Sequence, residues 1–152
     1  MMSFRVKSKD LYGLPERKVF SRLANTDSAA NPYRLYSIDK FPHDIFDPIG
    51  LYSGIPYITG HSKTHDESIM WVTASETWVD LSDHKNEKLV NFISDAGVME
   101  FFLFGNLMEG PKKQVKMLSK ITGLPFLPSL HSLGFHYSRW EETSAAHIMD
   151  LN

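Results

Sequence analysis

The sequence predicts a mainly β fold: an antiparallel sheet or sandwich, then one helix, then the opening strand of an α/β unit. Three observations carry this prediction. Short runs rich in β-branched and aromatic residues recur from Tyr33 to Phe104, each of strand length and set off by turn residues. After Gly105 the apolar spacing changes to that of a helix. A strand-like run and a polar segment with helix-start residues then lie near the end of the sequence.

Composition bounds what such a chain does. Its 152 residues suit one domain, and 42% hydrophobic against 22% charged residues is globular rather than disordered composition. A formal net charge of -2 provides no broad basic field, so no nucleic-acid partner is expected. Cysteine is absent, which excludes disulfides, thiolate nucleophiles and Cys-based metal sites. The opening "MMSFRVKSKD" has no apolar run long enough for a signal peptide, and no membrane span is expected.

The elements follow in order. Turn residues punctuate the first part: "YGLP" (Tyr12 to Pro15), "NTDSAANP" (Asn25 to Pro32), "FPHD" (Phe41 to Asp44) and "DPIG" (Asp47 to Gly50). The strand-like runs are "YRLYSI" (Tyr33 to Ile38), "IPYIT" (Ile55 to Thr59), "SIMWVTA" (Ser68 to Ala74), "TWVDL" (Thr77 to Leu81), "KLVNFI" (Lys88 to Ile93) and "VMEFFLF" (Val98 to Phe104). In "GPKKQVKMLSKITGLP", Pro111 suits the first helical position, Val115, Leu118 and Ile121 suggest an apolar face, and Gly123 and Pro125 stop the helix. "HSLGFHYS" returns to strand character, and "EETSAAHIMDLN" resembles a helix start with Thr143 or Ser144 as N-cap.

Several clusters carry possible chemistry. His61 and His65 are four apart beside Asp66, a metal-binding spacing on a helix; here Ser, Lys and Thr between two strands favour a turn. His131 and His136 have no third ligand spaced to join them. Glu76 and Asp80 flank Trp78, and strand alternation puts all three on one face, where a half-exposed polar face is the plainer reading than paired acid/base carboxylates. Ser138, Arg139, Trp140, Glu141 and Glu142 follow the last strand, where a (β/α)8 barrel carries active-site groups; equally, Trp140 caps a core and Arg139 pairs with Glu142. No nucleophile–base–orienter arrangement is legible, and the chemistry stays open on these residues alone.

The segment "FLPSLHSLGFHYSRW" resembles the start of the catalytic barrel of glycoside hydrolase family 31, the α-glucosidases. "DLYGLPER", "YRLYSIDKF", "PIGLYSGIPYITGH" and "MWVTASETWVDL" resemble successive segments of that family's N-terminal β-sandwich, and "QVKMLSKITGLPFLP" resembles its linker helix. The likeness is collinear from about Asp10 to Trp140 and is nearest to the family's glucosidase II and neutral α-glucosidase branch. It implies a partial galactose-mutarotase-like β-sandwich over residues 1–105, a linker helix over 106–126, and the first strand of an incomplete (β/α)8 barrel over 127–152.

The resemblance also implies site residues. Asp39 matches an N-domain loop acid that reaches over the barrel mouth to bond a substrate sugar; Phe41 matches an aromatic of that loop; Trp140 matches the aromatic after the first barrel strand. These types suit a sugar, which offers apolar C–H faces and many hydroxyls. The implied parent reaction is hydrolysis of terminal α-linked glucose with retention, without metal or organic cofactor. Retention needs two carboxyl groups about 5–5.5 Å apart. The family's catalytic aspartates belong to later barrel strands, so the chain is expected to be inactive alone. The implied partners are a carbohydrate, the remainder of a barrel, and a glucosidase II β subunit; the endoplasmic reticulum lumen is the compartment if glucosidase II is the parent. A non-catalytic carbohydrate-binding or interaction module is the alternative. Two departures stand out: Ser53-Gly54 reverses the branch's usual Gly-Ser order, and the connection from Leu81 to Asp95 is short.

Overall fold

The computed structural model describes residues 1–26, 32–40, 49–107 and 109–136. Eight strands form among them: β1 (Met2–Val6), β2 (Asp10–Gly13), β3 (Tyr33–Leu35), β4 (Tyr57–His61), β5 (His65–Val72), β6 (Thr77–His84), β7 (Glu87–Ser94) and β8 (Glu100–Leu107). They make two four-stranded antiparallel sheets, ordered β1-β7-β6-β3 and β2-β4-β5-β8. One helix follows, α1 (Pro111–Thr122). The mainly β expectation and the change to helix after Gly105 are both met.

Alternation within each strand builds the core between the sheets. On β6, Thr77, Val79 and Leu81 are buried while Trp78 and Asp80 are only partly so. Val79 and Leu81 lie opposite Phe92 and Val90 of β7. From the other sheet, Leu11, Ile58, Ile69 and Trp71 complete the same cluster. The Trp71 ring stacks on Phe92, with centroids 5.4 Å apart and planes 7° from parallel. Burying each such side chain contributes about 1.5–3 kcal/mol. Asp80, on the other face of β6, accepts a hydrogen bond from Thr26 Oγ1 at 3.0 Å, so it is a structural acceptor. Glu76 lies before the strand.

The turns follow their residues. Between β4 and β5, Ser62 Oγ accepts the backbone N–H groups of Thr64 (3.3 Å) and His65 (3.0 Å), closing the loop as its turn chemistry predicts. His61 and His65 are thus at opposite ends of a hairpin loop, and His61 Nδ1 bonds the buried Asp66 carboxylate. Gly13 ends β2 at φ 118°, and a Cβ there would lie 2.4 Å from the Tyr57 carbonyl oxygen. Only glycine meets both conditions.

Three readings of the sequence are corrected. β1 and β2 are not legible as strands; they form because β7 and β4 offer pairing edges. The helix does not dock by a Val115, Leu118 and Ile121 face: Val115 is 57% and Ile121 44% exposed, whereas Gln114 is buried. At about 3.6 residues per turn, a strict three-residue interval drifts around the helix, while Gln114, Met117 and Leu118 stay together. Gln114 Nε2 donates to the Asp66 carbonyl at 3.0 Å, and α1 packs on β5 and β8. Finally, "HSLGFHYS" is not a strand over its described part. Leu130–Ser132 is a single 3-10 turn, and Leu133 and Phe135 are exposed. A strand needs a paired neighbour, and none of the described residues supplies one there.

Candidate functional site: the loop that carries Asp39

Asp39 lies just past β3, in a chain segment whose root is held from three directions. The Ile38 N–H donates to the Leu51 carbonyl at 2.8 Å, and the Leu51 N–H donates in turn to the Glu16 carbonyl at 2.9 Å. Glu16 N–H reaches the Ser53 carbonyl at 2.9 Å, and Ile55 N–H reaches that of Pro15 at 2.9 Å. Residues 14–16 and 51–55 thereby run side by side and extend the β2–β4 pairing without regular strand geometry.

Two glycines allow these segments to close on β3. A Cβ on Gly50 would lie 2.9 Å from the Arg34 carbonyl oxygen; a Cβ on Gly54 would lie 3.0 Å from the Leu35 carbonyl carbon. The reversed Ser53-Gly54 order therefore has a physical basis. Ser53 is exposed, and Gly54 is the residue pressed against backbone.

Arg17 pins the root. Its Nε donates to the Leu14 carbonyl at 2.6 Å and its terminal Nη2 to the Arg34 carbonyl at 3.0 Å. Its guanidinium carbon sits 4.9 Å from the centroid of the Tyr33 ring, a cation–π contact. Burial holds the Arg17 pKa below the usual arginine value, opposed by the neighbouring Tyr33. Burial likewise raises the Tyr33 pKa, opposed by the neighbouring Arg17 charge. Sequence inspection missed Arg17, although its place two residues after Pro15 in "GLPER" was visible.

The Asp39 side chain is exposed. Phe41 and Trp140 lie outside the described residues, as do Ser138, Arg139, Glu141 and Glu142. The structure thus positions one of the three expected site residues.

A second polar cluster has no signal in the sequence. His65 Nε2 lies 3.5 Å from both Ser8 Oγ and Glu67 Oε1, and Glu67 also accepts the Ser8 N–H at 2.7 Å. The three residue types are those of a hydrolytic triad, but the geometry does not perform that chemistry. Serine and acid meet the same ring nitrogen, whereas a triad uses one each, and Ser8 is 1% exposed. The other nitrogen, Nδ1, contacts Ser62 and Thr64 hydroxyls, both at 3.0 Å. Among the described residues no group of three or more His, Asp or Glu is placed to hold a metal ion, and no helix is long and apolar enough to cross a membrane.

Comparison with known proteins supplies the context for this geometry. The family model of the glycosyl hydrolase 31 N-terminal galactose mutarotase-like domain matches residues 2–80. Neutral alpha-glucosidase AB of Sus scrofa is 32% identical over 163 residues, covering 93% of this chain and 17% of the relative. Glucosidase 2 subunit alpha of Saccharomyces cerevisiae is 32% identical over 147 residues, covering 95% and 15%. Among solved structures, the ER glucosidase II heterodimeric complex, of catalytic subunit and the binding domain of regulatory subunit, superposes with TM-score 0.69 at 27% identity, over 78% of this chain and 14% of that one. The chain thus spans 15–17% of the length of these two curated relatives.

Proposed function

The chain belongs to glycosyl hydrolase family 31, and from that premise we propose that it is the sugar-site-shaping sandwich portion of a retaining α-glucosidase. In this reading residues 1–105 are sandwich, 106–126 carry the linker helix, and 127–152 begin the catalytic barrel. The substrate is terminal α-linked glucose on a glycan or oligosaccharide. The relevant neighbours include glucosidase II alpha subunits solved with DNJ and with an alpha3-Glc2 ligand.

The observation that carries the reading is the braced root of the Asp39 loop. An exposed carboxylate held on a fixed backbone is a ready acceptor for sugar hydroxyls, and charge-assisted hydrogen bonds are about twice as strong as neutral ones. Phe41 and Trp140 supply the flat apolar walls that sugar C–H faces need. The nucleophile and the acid/base come from barrel strands outside this stretch, so the chain supplies binding and not bond cleavage. A glucosidase II β subunit is the proposed protein partner of the whole enzyme, by analogy with the heterodimeric complex.

Three measurements test this. Purified chain is expected to give no turnover of a chromogenic α-glucoside; turnover that survives repurification and vanishes on mutating this chain overturns the assignment. In a chimaera carrying this stretch in place of the matching stretch of the Saccharomyces cerevisiae subunit, Asp39→Asn is expected to lower kcat/KM about 10- to 100-fold, as loss of a charged hydrogen bond does. An active chimaera indifferent to Asp39→Asn removes Asp39 from the site. Saturable binding of an α1,3-linked glucose disaccharide to the isolated chain points instead to a self-sufficient binding module.

A further inference from the structure

At the hairpin end of β6 and β7, the gap between the sheets turns from apolar to charged. Leu81 and Val90 are buried in the core, whereas Asp83 and Lys88, next along the same faces, are an ion pair. The connection beyond them is tight: only Lys85 and Asn86 separate β6 from β7, with Lys85 at φ 58°. A cavity of about 480 Å³ lies at this end, and Lys9, Asp10, Arg22, Asn25, Asp83 and Lys88 are in its wall.

The backbone fixes that wall. Residues 22–26 strap one sheet to the other. The Tyr12–Arg22 bridge and the bond from Leu23 N–H to the Leu11 carbonyl, at 2.8 Å, tie the strap to β2. Thr26 N–H donates to the Leu81 carbonyl at 2.8 Å, and Leu81 N–H donates to Thr26 Oγ1 at 2.7 Å, which ties it to β6. Arg22 and Asn25 are thereby held at the cavity. Asn25 Nδ2 donates to Asp83 Oδ2 at 2.6 Å; Lys88 Nζ donates to Asn25 Oδ1 at 2.5 Å and to Asp83 Oδ1 at 2.8 Å. Only 13% of the Lys88 side chain is exposed, so its stem covers apolar surface and its ammonium reaches the cavity.

The charges do not cancel. Arg22 Nη1 bonds Asp10 at 3.2 Å, and Lys88 bonds Asp83, so both acids are matched. Lys88 and then Asn25 hold the Asp83 carboxyl below its ordinary pKa, with the Lys9 charge a lesser contributor. Lys9 itself is exposed and makes no ion pair among the described residues. Three cations therefore face two matched carboxylates, and one positive charge is in excess. Ion pairs that served only to close the end of the sandwich would need neither the third cation nor the space.

Excess positive charge selects an oxyanion, and arginine with lysine is the pairing that phosphate groups favour. The carboxylate oxygens and Asn25 Oδ1 each keep a lone pair for a hydroxyl donor. The volume lies within the range of small-molecule sites, about 300–1,000 Å³, and is larger than a phosphate ion needs. We propose that this cavity binds a compact phosphorylated polyol, with its phosphate on Lys9 and Arg22 and its hydroxyls donating to Asp10, Asp83 and Asn25. The strap supplies the affinity by ordering these groups in advance. The site is separate from the sugar loop: β6 runs from Thr77, opposite Leu35, to His84, so Asp83 and the root of the Asp39 loop lie at opposite ends of the sandwich, about 20 Å apart.

The test uses the full chain, with glucose 6-phosphate as the probe and glucose and inorganic phosphate as controls. Titration followed by amide chemical shifts should saturate below about 10 mM for glucose 6-phosphate, with the largest changes at Lys9, Arg22, Asn25 and Asp83. Inorganic phosphate should bind there about tenfold more weakly or worse, and glucose should not saturate the same amides. Lys9→Gln should weaken binding about tenfold with unchanged melting, since Lys9 is exposed. Lys120→Gln, an equal loss of charge on α1, and Asp39→Asn should both bind as the parent does. The proposal is overturned if the titration does not saturate, if inorganic phosphate binds as tightly as the sugar phosphate, or if Lys9→Gln binds normally. It is also overturned if Lys120→Gln weakens binding as much, which marks unspecific attraction, or if Asp39→Asn does, which puts the ligand on the sugar loop. The first three failures leave the α-glucosidase reading untouched, because no residue of this cavity belongs to it.

Discussion

Replacing Arg17 by methionine isolates what holds the Asp39 loop in place. Methionine keeps an unbranched stem of similar reach and removes only the guanidinium. The hydrogen bonds to the Leu14 carbonyl at 2.6 Å and the Arg34 carbonyl at 3.0 Å are among the contacts that disappear, along with the one over Tyr33. Bonds to a charged donor contribute about 1.5–3 kcal/mol each, and a cation–π contact about 0.5–2 kcal/mol. Against this, the substitution recovers the cost of desolvating the charge, which the lowered Arg17 pKa reveals. The balance is a loss of about 2–4 kcal/mol, or a fall in Tm of about 5–12 °C for a chain of this size. Hydrogen exchange localises the effect: the Ile38 and Leu51 amides, bonded at the loop root, should exchange faster than amides of β6 and β7. Arg17→Lys should fall between, because an ammonium cannot reproduce the planar fork. A fall in Tm below about 1 °C, with Ile38 and Leu51 exchanging as in the parent, refutes the brace.

Gly54→Ala should cost about 1–3 kcal/mol, because its Cβ would press on the Leu35 backbone 3.0 Å away; Ser53→Ala, at an exposed position, should melt within about 0.5 kcal/mol of the parent. Gln114→Glu should release α1 by about 3 kcal/mol at neutral pH, since it sets an acceptor against the Asp66 carbonyl in a buried place, and faster amide exchange across α1 checks it. Asp83 has its pKa lowered by hydrogen bonds from Lys88 and then Asn25, so its contribution is present above about pH 4 and lost as pH falls through the folded value; Asp83→Asn should flatten that part of the acid melting profile. Tyr33 is the opposite case: burial raises its pKa, its contribution is complete below about pH 10 and lost as pH climbs through the folded value, and Arg17→Met should move its absorbance titration still higher.

Local chemistry made much of the fold legible. "SIMWVTA", "TWVDL" and "KLVNFI" carry enough β-branched and aromatic residues to be strands in almost any setting, and they became β5, β6 and β7. Pro111 and Gly123 bracket the helix because one lacks an N–H that a first turn leaves unpaired and the other accepts positive φ, here 82°. The family resemblance was legible because it ran collinearly through most of the chain, and the match over residues 2–80 agrees with it. Of the candidate site, Asp39 is singled out by that resemblance and not by any local signal.

What tertiary structure alone decided is where segments distant in sequence meet. "SFRV" and "DLYG" are too short and too polar to be strands alone; the free edges of β7 and β4 make them so. "HSLGFHYS" has strand composition, yet its described residues stay unpaired, since a strand's backbone bonds belong to its neighbour and not to itself. Helix α1 turned its Gln114 side inward because the Asp66 carbonyl lay there to accept a donor, a fact written 48 residues away. Arg17 became the brace of the Asp39 loop by the same logic. A charge in "GLPER" has no visible purpose until folding carries the carbonyls of Leu14 and Arg34 to within reach of one guanidinium. Propensity and turn chemistry act over a few residues and are therefore readable in order; pairing edges and buried acceptors are properties of the folded neighbourhood, which no short window of the chain contains.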